Sequence, residues 1–347
     1  MSDAAVRLPA QAAHPPMRIA VYGAGAVGGH LAVRLAGAGA EVSVVARGAQ
    51  ADAIRAHGLT LLLGEETLHA WLRCAEVPAE LGAQDIVVVS VKGTGLDAIA
   101  GRIPSLFAPH TRVVFAMNGI MWWFVDGLPI AMPPSVRAQF DPGDALRRAI
   151  PMERVVGCAI YSGNVIDRPG VVRSTTPQRN RAILGTPSGA ADPLVDAFAA
   201  LLRRAGIDAE VTPRIRDALW TKMQLIVAAS PVCALTRCTL DRVVADPALR
   251  ALVVDMFEET RRLGVALGLE IPGDSAQRID FYHDKPIRPS MLQDLEAGKA
   301  LEVDNGILAF RHIAAAAGHS VPVLDHVATL VAALARSIAP PAIATSS

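Results

Sequence analysis

The stretch RIAVYGAGAVGGHLAVRLAG, residues 18–37, constrains the fold more than any other part of the chain. A short apolar, β-branched run leads directly into GxGxxG, formed by Gly23, Gly25 and Gly28, and the glycines lead directly into a run with helical spacing. Glycines of this kind can simply ease a turn from strand to helix. Set between a strand and a helix, though, each has a separate task in holding a dinucleotide. Gly23 permits the tight turn, Gly25 lets a pyrophosphate approach the backbone, and Gly28 lets the helix pack close to the strand. The loop Gly23, Ala24, Gly25, Ala26, Val27 and Gly28 is therefore the expected cofactor cradle, with the free N–H groups of the helix start turned to the phosphates.

The alternation continues along the chain. RIAVYG (18–23), EVSVVAR (41–47), DIVVVSVK (85–92) and RVVFAMNG (112–119) are separated by alanine- and leucine-rich stretches with helical spacing, which predicts βαβ units. Their near-continuous apolar character suits a parallel sheet covered on both faces. From 154 to 187 the pattern changes to RVVGCAIYSG, PGVVRST and RAILGTP, as for antiparallel strands completing the domain, with a helix over about 189–205. From about 212 strand signals vanish and helical patterns run to about 337. The expected fold class is α/β: an N-terminal Rossmann-type doubly wound sheet over 17–210, followed by an all-helical domain over 211–338. An N-terminal extension (1–16) and a tail (339–347) flank them. A stretch rich in Pro and aromatics, within about 120–150, reads as an inserted loop or flap. Its Trp122 and Trp123 are expected to pack it down or build an interface rather than stack on a cofactor.

Composition narrows the partners. With 33 basic and 33 acidic side chains in 347 residues, nothing marks a surface for a polyanion or a charged membrane. No uncharged apolar stretch reaches the ~20 residues of a membrane span. Cys74, Cys158, Cys233 and Cys238 show no CxxC pairing and no histidine at ligand spacing, which argues against a disulfide framework or a zinc site. The first residues lack the basic start and apolar core of a secretory signal, so the expected location is cytoplasmic. The expected partner is a small molecule, with no nucleic acid and no membrane, and a homodimer is the assembly considered.

The second strand bears on the choice of dinucleotide. An acidic residue at its end would bond the ribose 2′-OH, but here the strand ends Val44-Val45-Ala46-Arg47. Arg47 suits a 2′-phosphate, and Lys92, closing DIVVVSVK, adds a cation at the carboxyl edge of the sheet. Together they favour NADP (NADPH) over NAD.

These features, with VKGTG (91–95), MNG (117–119), ALWTKM (218–223), PSMLQDLEAGKALEVD (289–304) and HSVPV (319–323), make the chain resemble the ketopantoate reductase (2-dehydropantoate 2-reductase) family from Met17 to about Ala335. The resemblance implies NADPH-dependent reduction of a small 2-oxo acid, in pantothenate biosynthesis for the family's name-giving members. It also implies that Lys222 matches the catalytic lysine and Glu302 the catalytic glutamate. Ser290 matches a contact to the substrate carboxylate, and Asn118 an asparagine near nicotinamide and lysine. Family members that reduce ketopantoate commonly carry asparagines four and eight positions after the lysine. Here those positions are Ile226 and Ser230, a departure that points to a more apolar substrate.

Read from local sequence, the same residues have plainer roles open to them. Lys222 shares its helix face with Ala218, Leu219, Leu225 and Ile226, so it either snorkels from a core stripe or enters a cleft that lowers its proton affinity. Glu302 suits a helix N-terminus, Ser290 and Gln293 fit a capping box, and Asn118-Gly119 is a turn signal. Lys285 and Arg288 are either solvated or within reach of an anionic substrate. Two other functions stand beside 2-oxo-acid reduction: oxidation of a more apolar 2-hydroxy acid, and dinucleotide sensing without turnover.

Overall fold

The computed structural model describes residues 15–338; the expected tail and all but the last two residues of the expected N-terminal extension lie outside the described residues. The strands are β1 (Arg18–Tyr22), β2 (Glu41–Val45), β3 (Leu59–Leu63), β4 (Glu66–Ala70), β5 (Arg73–Ala75), β6 (Gln84–Val89), β7 (Phe107–Phe115), β8 (Val155–Tyr161), β9 (Asn164–Arg168), β10 (Val171–Ser174), β11 (Arg181–Gly185) and β12 (Asp208–Val211). Between them run α1 (Ala26–Gly37), α2 (Gly48–His57), α3 (Asp97–Ala100), α4 (Trp122–Val125), α5 (Pro134–Phe140), α6 (Ala145–Ala149) and α7 (Pro193–Arg204). After β12 the chain is helical: α8 (Ile215–Thr236), α9 (Leu240–Ala245), α10 (Pro247–Ala266), α11 (Ser275–Asp280), α12 (Ser290–Glu296), α13 (Ala309–Ala316) and α14 (Pro322–Ile338).

The main sheet has the order β12-β11-β8-β7-β6-β1-β2-β5, and every neighbouring pair is parallel except β8 with β11. Its central strands are buried on both faces, which is why IAVY, DIVVV and VVF read as continuous apolar runs. The strands expected antiparallel over 154–187 do pair that way, β8 with β11 and β9 with β10, but not as one run completing a single sheet. β8 runs parallel to β7, and β9 and β10 leave for a second sheet, β4-β3-β10-β9. That sheet packs against α1 and includes the hairpin LTLLLGEETLHA, turned at Gly64. The hairpin sits where only helical spacing was expected. Its strand β3 alternates between buried and half-buried positions, so the period-2 signal was there but short.

The segment 120–150 is anchored at its start and lines the cavity beside Glu302 through Gln139, Phe140 and Pro142. Trp122 and Trp123 are only 2% and 1% exposed, and the aromatic pair packs the segment down as expected. Ring centroids step from Trp123 to Phe124 (6.2 Å), to Trp220 of α8 (5.9 Å) and to Phe310 of α13 (4.2 Å). Arg216 of α8 fastens the same segment, donating to the carbonyls of Trp123 (3.0 Å), Phe124 (3.1 Å) and Pro187 (2.6 Å). β8 comes close here as well: a Cβ on Gly157 would lie 2.6 Å from both Trp123 and Ile215.

Helix α8 is the spine of the helical half, touching β8, α10, α12 and α14. By length and composition it is apolar enough to cross a bilayer, but 67% of its most apolar window is buried within the fold. Packing therefore accounts for its hydrophobicity, and it fixes the side chains that α8 carries.

Candidate active site

The carboxyl edge of the parallel strands is where ligands bind in such sheets. Gly23 turns the chain after β1 with φ +101°, a conformation that a side chain would strain. A Cβ on Gly28 would fall 1.9 Å from the Gly23 carbonyl oxygen and 2.2 Å from Ser90 Oγ, so the start of α1 touches the strand ends directly. At Gly25 a Cβ would meet nothing within 4 Å, which leaves that backbone open to a phosphate. No side chain caps α1 and its first turn holds no acid, so its leading amides are free for an anion. Ser90, at the end of β6, donates to the Gly23 carbonyl (2.7 Å) and ties the loop to the neighbouring strand. Nothing in the sequence marks Ser90 beyond its place after a strand.

Arg47 is exposed at the N-cap of α2, directly after β2, and its side chain enters no hydrogen bond or ion pair among the described residues. Lys92 lies at the carboxyl edge as expected but is already engaged: its Nζ is 2.8 Å from Asp294 Oδ2 of α12. Arg47 is thus the free cation of the two. A 2′-phosphate bonded by Arg47 gains roughly 1–3 kcal/mol over a bare hydroxyl. Arg47→Ala is expected to narrow the affinity gap between NADPH and NADH by that amount, as titration by cofactor fluorescence would measure.

Lys222 and Asn118 meet. Asn118 follows β7, Lys222 rises from the second turn of α8, and Nζ donates to Asn118 Oδ1 at 2.7 Å. The lysine side chain is half-buried, and its Nζ lies 5.7 Å from the ring centroid of Tyr161, the last residue of β8. Desolvation, opposed by Cys158 and reinforced by Arg179, lowers the ammonium to about 8. Burial also pushes the Tyr161 phenol up. Of the two readings open for Lys222, the structure therefore favours the cleft over the snorkel. Tyr161 was missed; its only signal is a polar aromatic at the carboxyl end of an apolar strand.

Glu302 and Lys222 have separate partners. Glu302 Oε1 accepts from the Gly93 backbone N–H (2.8 Å), while the lysine's partner is Asn118. The two groups are linked through the backbone instead, for Ile120 N–H donates to the Asn305 carbonyl (2.7 Å), three residues beyond Glu302. A cavity of about 450 Å³ opens beside Glu302, lined also by Gly93, Phe140, Asn305 and His312, so a small molecule can reach the carboxylate.

The capping box at Ser290 does not form. Pro289 occupies the N-cap position, no side chain caps the helix, and the Gln293 amide donates to the Arg288 carbonyl (2.7 Å). Ser290 is exposed at the first position of α12. Ile226 and Ser230 follow Lys222 at intervals of one helical turn on α8; Ile226 is half-buried and Ser230 is 4% exposed. Among the described residues no cluster of His, Cys, Asp or Glu is arranged to hold a metal ion.

A family model described as ketopantoate reductase PanE/ApbA matches residues 19–186, and its C-terminal counterpart matches residues 214–335. The 2-dehydropantoate 2-reductase of Mesorhizobium japonicum is 37% identical over 321 residues, 92% of this chain and 98% of its own length. The chain belongs to the ketopantoate reductase family. A solved structure from Ralstonia solanacearum MolK2, assigned as a ketopantoate reductase, overlays with TM-score 0.85 at 35% identity, covering 93% of this chain and 99% of its own. The ternary structure of D-mandelate dehydrogenase with NADH and anilino(oxo)acetate shares the fold, with TM-score 0.79 at 20% identity and coverage of 93% and 99%. Membership makes this chain an NADPH-dependent oxidoreductase that reduces a 2-oxo acid to the 2-hydroxy acid. The glycine loop, the uncapped start of α1 and the free Arg47 fit that cofactor.

Proposed function

We propose that Lys222 protonates the carbonyl oxygen of a 2-oxo acid bound at the carboxyl edge of the sheet, and that the favoured acid carries an apolar side chain. The observation that carries this reading is the Lys222–Asn118 hydrogen bond at 2.7 Å, made by an ammonium that desolvation has lowered to about 8. Such a group still holds its proton at neutral pH yet gives it up readily, as a general acid requires. Asn118 Oδ1 holds Nζ in place from the end of β7, and the ammonium polarises the carbonyl as charge develops on oxygen. When bound, the cofactor supplies the hydride to carbon. Glu302, bonded to the Gly93 amide, fixes the turn after β6 along the rim of the site and lies open to the adjacent cavity. Ser290 offers a hydroxyl from the start of α12 as a further substrate contact.

Substrate choice follows from the helix face beyond the lysine. A site built to bond a substrate hydroxyl rejects analogues without it, because its own polar groups are left unpaired; an isoleucine imposes no such penalty. Against Ile226, the hydroxyl of ketopantoate would lack a full set of partners at a cost of ~1–3 kcal/mol. An apolar acid such as 4-methyl-2-oxopentanoate is therefore expected to show a higher kcat/KM than ketopantoate. Ile226→Asn is expected to move the preference back toward ketopantoate. Steady-state kinetics on a panel of 2-oxo acids tests both, and a ranking with ketopantoate well ahead of every apolar acid would refute the apolar preference.

A further inference from the structure

Three arginine charges act on the Tyr161 ring at the edge of the site: Arg181, Arg179 and Arg278. Two of them are committed. Arg181 pairs with Glu210 (2.9 Å) across the β11–β12 edge, and Arg278 donates to Gln224 Oε1 (3.0 Å) and the Thr221 carbonyl (3.0 Å) on α8. Arg179 is not. Its guanidinium carbon lies 5.6 Å from the Tyr161 ring centroid, and its side chain enters no hydrogen bond or ion pair among the described residues. The same ring has Lys222 Nζ at 5.7 Å, so one aromatic side chain carries both the proposed proton donor and an unneutralised guanidinium.

The connector that presents Arg179 is fixed at both ends. Thr176 Oγ1 accepts from the Gly163 N–H (2.7 Å), Thr175 N–H donates to the Gly163 carbonyl (2.8 Å), and the Asn180 amide donates to the Gly206 carbonyl (3.0 Å). β8 delivers Tyr161 to the same place by simple alternation: Gly157, Ala159 and Tyr161 share the face turned to α8, while Cys158 and Ile160 pack into the other core with α7.

We propose that Arg179, held against Tyr161, binds the carboxylate of the 2-oxo acid. This rests on the 2-oxo-acid reading above and deepens it. In such a substrate the carboxylate is bonded to the carbon that Lys222 activates, so a ketone oxygen on Nζ brings the anion to the neighbourhood of the Tyr161 ring. A guanidinium offers it a two-pronged, charge-assisted bond, which gives orientation as well as affinity. Arg179 is also one of the charges that make the Lys222 ammonium readier to release its proton.

The experiment compares the wild-type protein with Arg179→Ala and Arg179→Lys on two readouts. The first is kinetics with 4-methyl-2-oxopentanoate and with its methyl ester, which has the same ketone and no anion. In Arg179→Ala, KM for the acid is expected to rise about 10–100-fold, the loss of one charge-assisted bond, while KM for the ester stays within about twofold and kcat for both substrates shifts together by a few-fold, since Arg179 also acts on the Lys222 proton. Arg179→Lys should recover part of the loss. The second is calorimetric binding of oxamate, a carboxylate beside an amide carbonyl, to the NADPH complex, which needs no turnover; Arg179→Ala should weaken it by a similar factor. An unchanged acid-to-ester ratio together with unchanged oxamate affinity, in a wild type that reduces 2-oxo acids, overturns the carboxylate site alone. A wild type that reduces none of the panel overturns the catalytic reading, and oxamate that fails to bind it overturns the carboxylate site as well.

Discussion

Lys222→Met is expected to lower kcat for 2-oxo-acid reduction by about 10²–10⁴-fold, the usual worth of a general acid, while NADPH affinity stays within about twofold. The pH dependence of the unmutated enzyme carries the same assignment. Desolvation sets the ammonium at about 8, below its ordinary value, so it is protonated and able to donate below that pH. For reduction, kcat/KM should be level on the acid side and fall about tenfold per pH unit above about 8, whereas oxidation of the 2-hydroxy acid, which needs the free amine, should rise through the same point. Thermal unfolding separates lost chemistry from lost structure. An ammonium held partly out of water is a cost to the fold, so methionine in its place should hold or raise Tm. Turnover within tenfold of wild type would return Lys222 to a structural role.

The second large effect is expected at Gly28. An added methyl group there would fall 1.9 Å from the Gly23 carbonyl oxygen and 2.2 Å from Ser90 Oγ, one of them backbone in the cofactor loop itself. The helix has to back away from β1. Gly28→Ala should therefore cost on the order of 3 kcal/mol of stability, the upper end for overpacking a tight contact, and weaken NADPH by more than about 100-fold as the loop deforms. Gly25→Ala provides the contrast: its Cβ meets no protein atom within 4 Å, so Tm should hold while the methyl obstructs the pyrophosphate. Unfolding curves and NADPH titration on both variants read the difference. Equal Tm for Gly28→Ala and wild type would mean that α1 is not wedged against the strand ends.

What the sequence made legible is what local chemistry dictates. GxGxxG between a β-branched run and a helical run carried its whole environment with it, down to the separate geometry of Gly23, Gly25 and Gly28. The long apolar strands and α8 were likewise readable, because burial on both sides leaves an unbroken apolar signature. Pairings between distant segments were not. That β9 and β10 desert the main sheet to join β3 depends on which edge is available in three dimensions, and no periodicity records it. The same holds at the site. Lys222 and Asn118 are 104 residues apart and meet as expected, but Glu302 finds the Gly93 amide rather than the lysine, and Lys92 finds Asp294. Those partners are set by how α12 and the segment before α13 lie against the strand ends. The capping box failed for a local reason that the sequence did contain: Pro289, next to Ser290, takes the N-cap position first.

The aromatic column from Trp123 through Phe124 and Trp220 to Phe310 determines how the two halves of the molecule can move against each other. The column crosses between the halves where Phe124 faces Trp220, and parting those two rings re-exposes only their facing sides, which at about 25 cal/mol per Å² costs on the order of 5 kcal/mol. With the Arg216 bonds to the Trp123 and Phe124 carbonyls beside it, that contact makes the column behave as the bound spine of a book. The Lys92–Asp294 pair and the Glu302–Gly93 bond are polar contacts that water can replace at little cost, and they act as the free edges of the pages. Opening toward substrate and cofactor is therefore expected on that unbound side, and trimming the segment around Trp123 should loosen the binding rather than widen the door.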